Sequence, residues 1–190
     1  MDRPYVVGID IGGQSAKIGI VDTRGTVLSQ TAIKSNDTNS HVEFIENLCS
    51  AVEKLAEKAN IPMSKIRGIG IGAPNANYYT GTIENAVNLT FGGMKVIPFA
   101  DLMSERIGLP VRLTNDANAA AVGEMTYGAA RGMKNFITIT LGTGVGSGIV
   151  VGGYVLYGHD GFAGELGHVT MVRKNGRLCG CGKTGCLEAY

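Results

Sequence analysis

An apolar run from Tyr5 to Ile11 predicts a strand that ends in Asp10-Ile11-Gly12-Gly13. Ala16 to Val21 alternates as a second strand, Asp22-Thr23-Arg24-Gly25 makes a turn, and Thr26 to Ile33 gives a third strand. From Ser40 to Ala59 the period changes. Val42, Ile45, Leu48, Val52 and Leu55 recur at helical spacing, with Ser40 placed to cap the helix. Ile66 to Ile71 reads as a buried strand, Gly72 to Pro98 as an irregular stretch rich in Asn, Gly and Thr, and Ala100 to Ile107 as a short helix. Val111 to Thr114 then alternates into Asn115-Asp116, and Ala117 to Gly123 is small and mostly helix-favouring.

From Asn135 the opening pattern begins again. Phe136 to Leu141 is a strand, Gly142-Thr143-Gly144-Val145-Gly146-Ser147-Gly148 a glycine loop, Ile149 to Val151 a second strand, Gly152-Gly153 a turn, and Tyr154 to Tyr157 a third strand. Superposed, Ile9 falls on Ile139, Ile11 on Leu141 and Gly12 on Gly142. This repeat predicts two similar α/β lobes, each offering a glycine hairpin to a shared cleft; two unrelated hairpins are the competing reading. The expected division places residues 1–112 in a small N-terminal lobe and residues 113–190 in the beginning of a larger one.

Composition narrows the function classes. With 44% hydrophobic and 17% charged residues the chain can bury a sizeable core, and its net charge of +1 gives no nucleic-acid footprint and no polybasic membrane patch. The start lacks the apolar core of a signal peptide, and no run of about 18 apolar residues exists to span a bilayer. A cytoplasmic, reducing compartment is the expectation. There the four cysteines point to metal rather than disulfides.

The 29 glycines mark tight turns and close backbone approaches. In Gly142-Thr143-Gly144 and in Gly12-Gly13-Gln14, amides unscreened by side chains could converge on phosphate oxygens. GTGVGSG is not a Walker A sequence, since no Lys-Ser/Thr follows the glycines. Nor is it the dinucleotide fingerprint, whose third glycine would fall on Ser147 and which needs a helix where a strand follows here. Asp10 closes an apolar strand, where a buried carboxylate needs a partner; a magnesium ion or its water shell beside phosphates would serve, and a turn-stabilising role is the alternative. Asp116 also has two readings, a cap for the helix it begins or a general base at a cleft mouth.

Cys179, Cys181 and Cys186 crowd the C-terminus in CGCGKTGC, and His168 stands upstream in GELGH. Their spacing predicts a closed Cys₃His zinc site of structural type. The nearby carboxylates Glu165 and Glu188 would be aimed by the fixed loop; Glu165 and His168 share one face if that stretch is helical. Surface glutamates are the alternative. Cys49 lies on the apolar side of the long helix and reads as core.

DIGG at Asp10–Gly13, NDAN at Asn115–Asn118, GTGVGSG, GELGH and CGCGKTGCLE together resemble, in order and spacing, the ROK family of repressors, open reading frames and kinases. The resemblance runs from near the start to Tyr190. It implies the ribonuclease H-like, actin-like ATPase fold with two lobes around a cleft, and an ATP-dependent hexose kinase, glucose being the first expected substrate. N-acetylmannosamine or fructose kinases and a sugar-sensing regulator are the alternatives. Asp116 would take the proton from the sugar's primary hydroxyl. Asn88, Asn115, Glu165, His168 and Glu188 would hold the other hydroxyls. The two glycine hairpins would hold the ATP phosphates, with Asp10 near Mg²⁺.

Two departures stand out. Gln14-Ser15 replaces the family's usual Thr followed by Lys or Asn, and the loop from Thr90 to Met94, with Phe91 as its aromatic, is unusual. Family repressors carry a helix-turn-helix ahead of the DIGG strand; with that strand beginning at Tyr5, the expectation is a kinase and not a repressor. Family members also run past Glu188, so an N-terminal portion of a kinase is expected, with the second lobe incomplete and apolar surface exposed. The complete protein would be a dimer or tetramer.

Overall fold

The computed structural model describes residues 3–38, 40–86, 89–90 and 96–190. The chain divides into two compact units, Met1–Asp116 and Ala117–Tyr190.

The first unit is built on a five-stranded sheet. Its strands are β1 (Tyr5–Ile11), β2 (Ser15–Val21), β3 (Val27–Lys34), β4 (Ile66–Ala73) and β8 (Val111–Asn115), in the order β3-β2-β1-β4-β8. The first three form an antiparallel meander, while β4 runs parallel to β1 and β8 parallel to β4. Because alternate residues face opposite sides of a sheet, Val7, Ile9 and Ile11 of β1 are buried with Ala16, Ile18 and Ile20 of β2. Helix α1 (His41–Lys58) packs on this unit through Phe44, Ile45, Leu48, Cys49, Val52, Leu55 and Ala56, a 3–4 spacing that makes one apolar stripe. Its start is the Ser40 cap expected from the sequence, the Ser40 hydroxyl accepting from Glu43 N–H at 3.4 Å. Cys49 is fully buried in this core.

Helix α2 (Phe99–Ile107) packs beside α1, with the Phe44 and Phe99 rings 6.3 Å apart and tilted. At its far end Arg106 joins Glu46 at 2.6 Å and Glu53 at 3.0 Å, tying the two helices at the surface. Those carboxylates hold the Arg106 guanidinium more firmly protonated than usual. The stretch expected to be irregular holds three short strands, β5 (Ala76–Asn77), β6 (Thr82–Glu84) and β7 (Val96–Ile97), in a small antiparallel sheet.

The second unit carries most of α3 (Asp116–Tyr127) and an antiparallel sheet of β9 (Phe136–Leu141), β10 (Val145–Val151) and β11 (Tyr154–Val155), ordered β11-β10-β9. This is a second strand, glycine loop, strand, turn, strand meander. Gly152 and Gly153, with φ of 62° and 87°, make its second turn. The glycine loop is shorter than its sequence suggested, because strand pairing starts at Val145 opposite Leu141. Ile137, Ile139 and Leu141, on one face of β9, stay 49–80% exposed. Among the described residues no helix is long and apolar enough to cross a membrane.

Candidate functional site

In the first unit, β1 delivers Asp10 to the end of its strand. The phase that buries Ile9 and Ile11 turns Asp10 to the opposite face, where it is exposed. The expectation that it is a buried carboxylate in need of a partner is therefore corrected. Across that face its neighbours are small. Asp10 stands opposite Gly72 of β4, with Gly8 opposite Gly70, and nothing lies within 4 Å of where a Cβ on Gly8 or Gly70 would be. The carboxylate thus borders open space. The hairpin after it is tight, with Gly12 N–H donating to Ser15 O at 2.9 Å, and Gly13 and Gln14 at its exposed tip.

Asn115 ends β8 and Asp116 begins α3, so strand and helix meet at the pair. Asp116 is exposed and Asn115 half-buried. The β4 and β8 ladder pairs Ala73 with Asn115, which fixes the height at which the strand hands over to the helix. Asn88 and Phe91 lie outside the described residues.

In the second unit the start of β10 is the hub. Gly142 N–H donates to Gly144 O at 3.0 Å, closing the exposed loop Gly142-Thr143-Gly144. Glu188 lies over this loop. Its Oε2 accepts from Val145 N–H at 3.4 Å, and a Cβ on Gly144 would come within 2.7 Å of the same oxygen. The other oxygen, Oε1, accepts from the Cys179 thiol at 3.0 Å and stands 3.5 Å from His168 Nδ1. One side chain therefore touches both the glycine loop and the cysteine cluster.

His168 sits in a 3₁₀ turn over Leu166–His168 that follows Glu165, the helical turn the sequence allowed for. Glu165 is exposed and His168 half-buried. The turn is pressed against β10. Gly167 has no room for a side chain beside Val145 O, and the Ser147 hydroxyl donates to Gly164 O. Neither Ser147 nor this backbone contact was singled out from sequence.

The ligand atoms of His168, Cys179, Cys181 and Cys186 all lie within 4.8 Å of one another. Zinc bonds of about 2.3 Å to sulfur and about 2.0–2.1 Å to nitrogen imply tetrahedral edges of about 3.8 Å between sulfurs and about 3.6 Å from sulfur to nitrogen. The observed Cys181–Cys186 separation is 3.8 Å and the Cys179–His168 separation 3.6 Å. The donor set fits a tetrahedral ion. The hydrogen bond that the Cys179 thiol donates to Glu188 favours its protonated form and pushes that thiol up to about 12. The Lys183 amide donates to Cys181 and holds its thiol below the ordinary cysteine value.

The family model for the ROK family matches residues 6–190. A glucokinase of Halalkalibacterium halodurans is 43% identical over 188 residues, 98% of this chain and 56% of that protein. A ROK family glucokinase from Streptomyces griseus, solved in complex with glucose and AMPPNP, is 37% identical with a TM-score of 0.83, over 98% of this chain and 56% of that one. A putative xylose repressor of a Caldicellulosiruptor species is also similar, at 32% identity over 97% of this chain and 46% of that protein. The chain spans about half the length of the relatives it matches.

Proposed function

The chain belongs to the ROK family, and from that premise we propose that it forms part of an ATP-dependent kinase that converts glucose to glucose 6-phosphate. Asp116 is the general base in this reading. It accepts the proton of the sugar's primary hydroxyl as that oxygen bonds to the γ-phosphorus, while the bond to the β-phosphate oxygen breaks and ADP leaves. Its exposure at a strand-to-helix junction supports the role, since a base must be reached by substrate. Asn88, Asn115, Glu165, His168 and Glu188 hold the remaining hydroxyls. The loops at Gly12-Gly13-Gln14 and Gly142-Thr143-Gly144 take the phosphates through their amides. Asp10, on the exposed face of β1 opposite Gly72, would hold Mg²⁺, which would neutralise charge on the phosphates when bound.

His168, Cys179, Cys181 and Cys186 would hold a structural Zn²⁺, which would supply rigidity to the loop when bound. The chain's own residues then fix the carboxylates. The amide of Val145 donates to Glu188, which follows Cys186 by two residues, so the loop that carries the cysteines also sets the angle of a sugar ligand. The observation that carries the reading is this meeting of Glu188, the cluster and the second glycine loop in a member of a kinase-bearing family. We place the protein in the cytoplasm.

The test is a coupled assay of the protein at its native length against a panel of hexoses, with metal content measured on the same sample. Glucose-dependent ADP release and about one zinc per chain are expected. Asp116→Ala should lower turnover by about 10²- to 10⁴-fold with glucose binding retained. Near-normal turnover in that variant would refute the base, and operator binding without turnover would favour the regulator reading.

A further inference from the structure

Ser35 follows β3 and is completely buried, yet it is polar. Its hydroxyl donates to Gly12 O at 2.6 Å and its N–H donates to Gln14 O at 3.1 Å, so one residue grips two carbonyls of the first glycine hairpin. In a planar trans peptide the carbonyl and the following N–H point in opposite directions. With the Gly12 carbonyl drawn to Ser35, the N–H of Gly13, at the exposed tip, is turned away from it.

The residue that grips is itself held. Thr38, three residues on and also buried, donates from Oγ1 to Glu43 Oε2 at 2.6 Å in the first turn of α1 and accepts from Ser40 N–H at 3.1 Å. Its carbonyl accepts from Thr90 Oγ1 at 3.2 Å. Ser35 is therefore fixed on one side by the β3 ladder and on the other by Thr38 and the helix. It can hold the glycine tip in place and need not follow its movements. Glycines otherwise leave such a tip free to take many conformations.

We propose that Ser35 is a positioning residue for nucleotide binding: it orients the Gly13 amide toward the phosphates of the donor without touching them. The inference rests on the kinase reading and deepens it. It also gives a reason why Gln14 and Ser15 can replace the residues usual after DIGG, since the orientation comes from behind the loop.

At native length, with ATP and glucose varied in turn, Ser35→Ala is expected to raise KM for ATP about tenfold and leave KM for glucose within about twofold of wild type. Ser35→Thr, which keeps the hydroxyl, should recover most of the ATP affinity. Amide hydrogen exchange of a peptide spanning residues 11–17 should accelerate in Ser35→Ala without a change in the strands. An unchanged KM for ATP overturns the inference, as does an equal rise in both KM values, which marks a merely structural loss. If Ser35→Ala does not fold, Ser35→Cys, with its weaker donor, is read by the same split. A wild-type protein with no glucose-dependent turnover overturns the kinase reading and this inference with it; an active wild type with an unaffected variant overturns this inference alone.

Discussion

Gly148 sits in β10 directly under α3. A Cβ at this position would lie 2.6 Å from the Ala121 methyl carbon and 2.7 Å from the Ala117 carbonyl oxygen. Carbon atoms in contact normally stand about 3.5–4.0 Å apart, so Gly148→Ala requires the helix to retreat by about 1 Å. Neither partner can rotate away, one being a methyl group and the other backbone. Ala117 and Ala121 are also a turn apart on one helix face, so the displacement moves the start of α3 as a body. Overpacking of this kind costs about 1–3 kcal/mol. For a chain of this size that corresponds to a fall in Tm of roughly 2–12 °C. Because Asp116 is the first residue of the same helix, turnover should fall as well, by up to about 10²-fold for a displacement near 1 Å. Thermal unfolding followed by circular dichroism, and the coupled assay on the same preparation, read the two effects. A Tm within about 1 °C of wild type would refute the close packing of α3 on β10. A lowered Tm with unchanged turnover would refute the assignment of the base to the start of that helix.

Gly123 lies in the same helix, but nothing stands within 4 Å of the place its Cβ would take, so Gly123→Ala should raise stability by about 0.5–1 kcal/mol in a urea titration; a loss would show that α3 is covered there. Asp22 accepts from the Thr26 and Arg24 amides, both at 2.9 Å, and these bonds, the Thr26 one foremost, hold its carboxyl below the ordinary value of 3.8. A carboxyl lowered by folding stabilises the fold above the unfolded pKa and stops doing so as pH falls through the folded value. The stability difference between wild type and Asp22→Ala should therefore be constant above about pH 5 and vanish in stronger acid. A difference that persists there would mean the turn does not depend on the charged group.

Elements with a clear period were legible from residues alone. The stripe from Ile45 to Leu55 gave α1, and its cap at Ser40 followed from residue type. The gathering of His168 with the three cysteines was legible because ligand-type residues stand close together in a glycine-rich stretch, and their ligand atoms lie within 4.8 Å of one another. The glycine loop is shorter than its residue pattern predicts for a physical reason. Gly146 and Gly148 are strand positions kept small by Ala117 and Ala121 of α3, and a glycine required by packing looks in sequence like one required by a turn. Strands of two or three residues, such as β5 to β7, are too short to show a period at all. The exposure of Asp10 was available in principle, since Ile9 and Ile11 fix the phase of β1. The grip of Ser35 on Gly12, and of Glu188 on Val145, joins positions 23 and 43 residues apart, and no local pattern announces such pairs.

The face of β9 that shows Ile137, Ile139 and Leu141 to solvent has a practical meaning for anyone preparing these 190 residues alone. Bare aliphatic side chains on a strand that, among the described residues, is hydrogen-bonded on one side only make an adhesive border, open to whatever extended segment arrives first. In a tube, that segment is another molecule of the same polypeptide. Light scattering should grow with protein concentration, and Ile139→Lys should keep the sample clear.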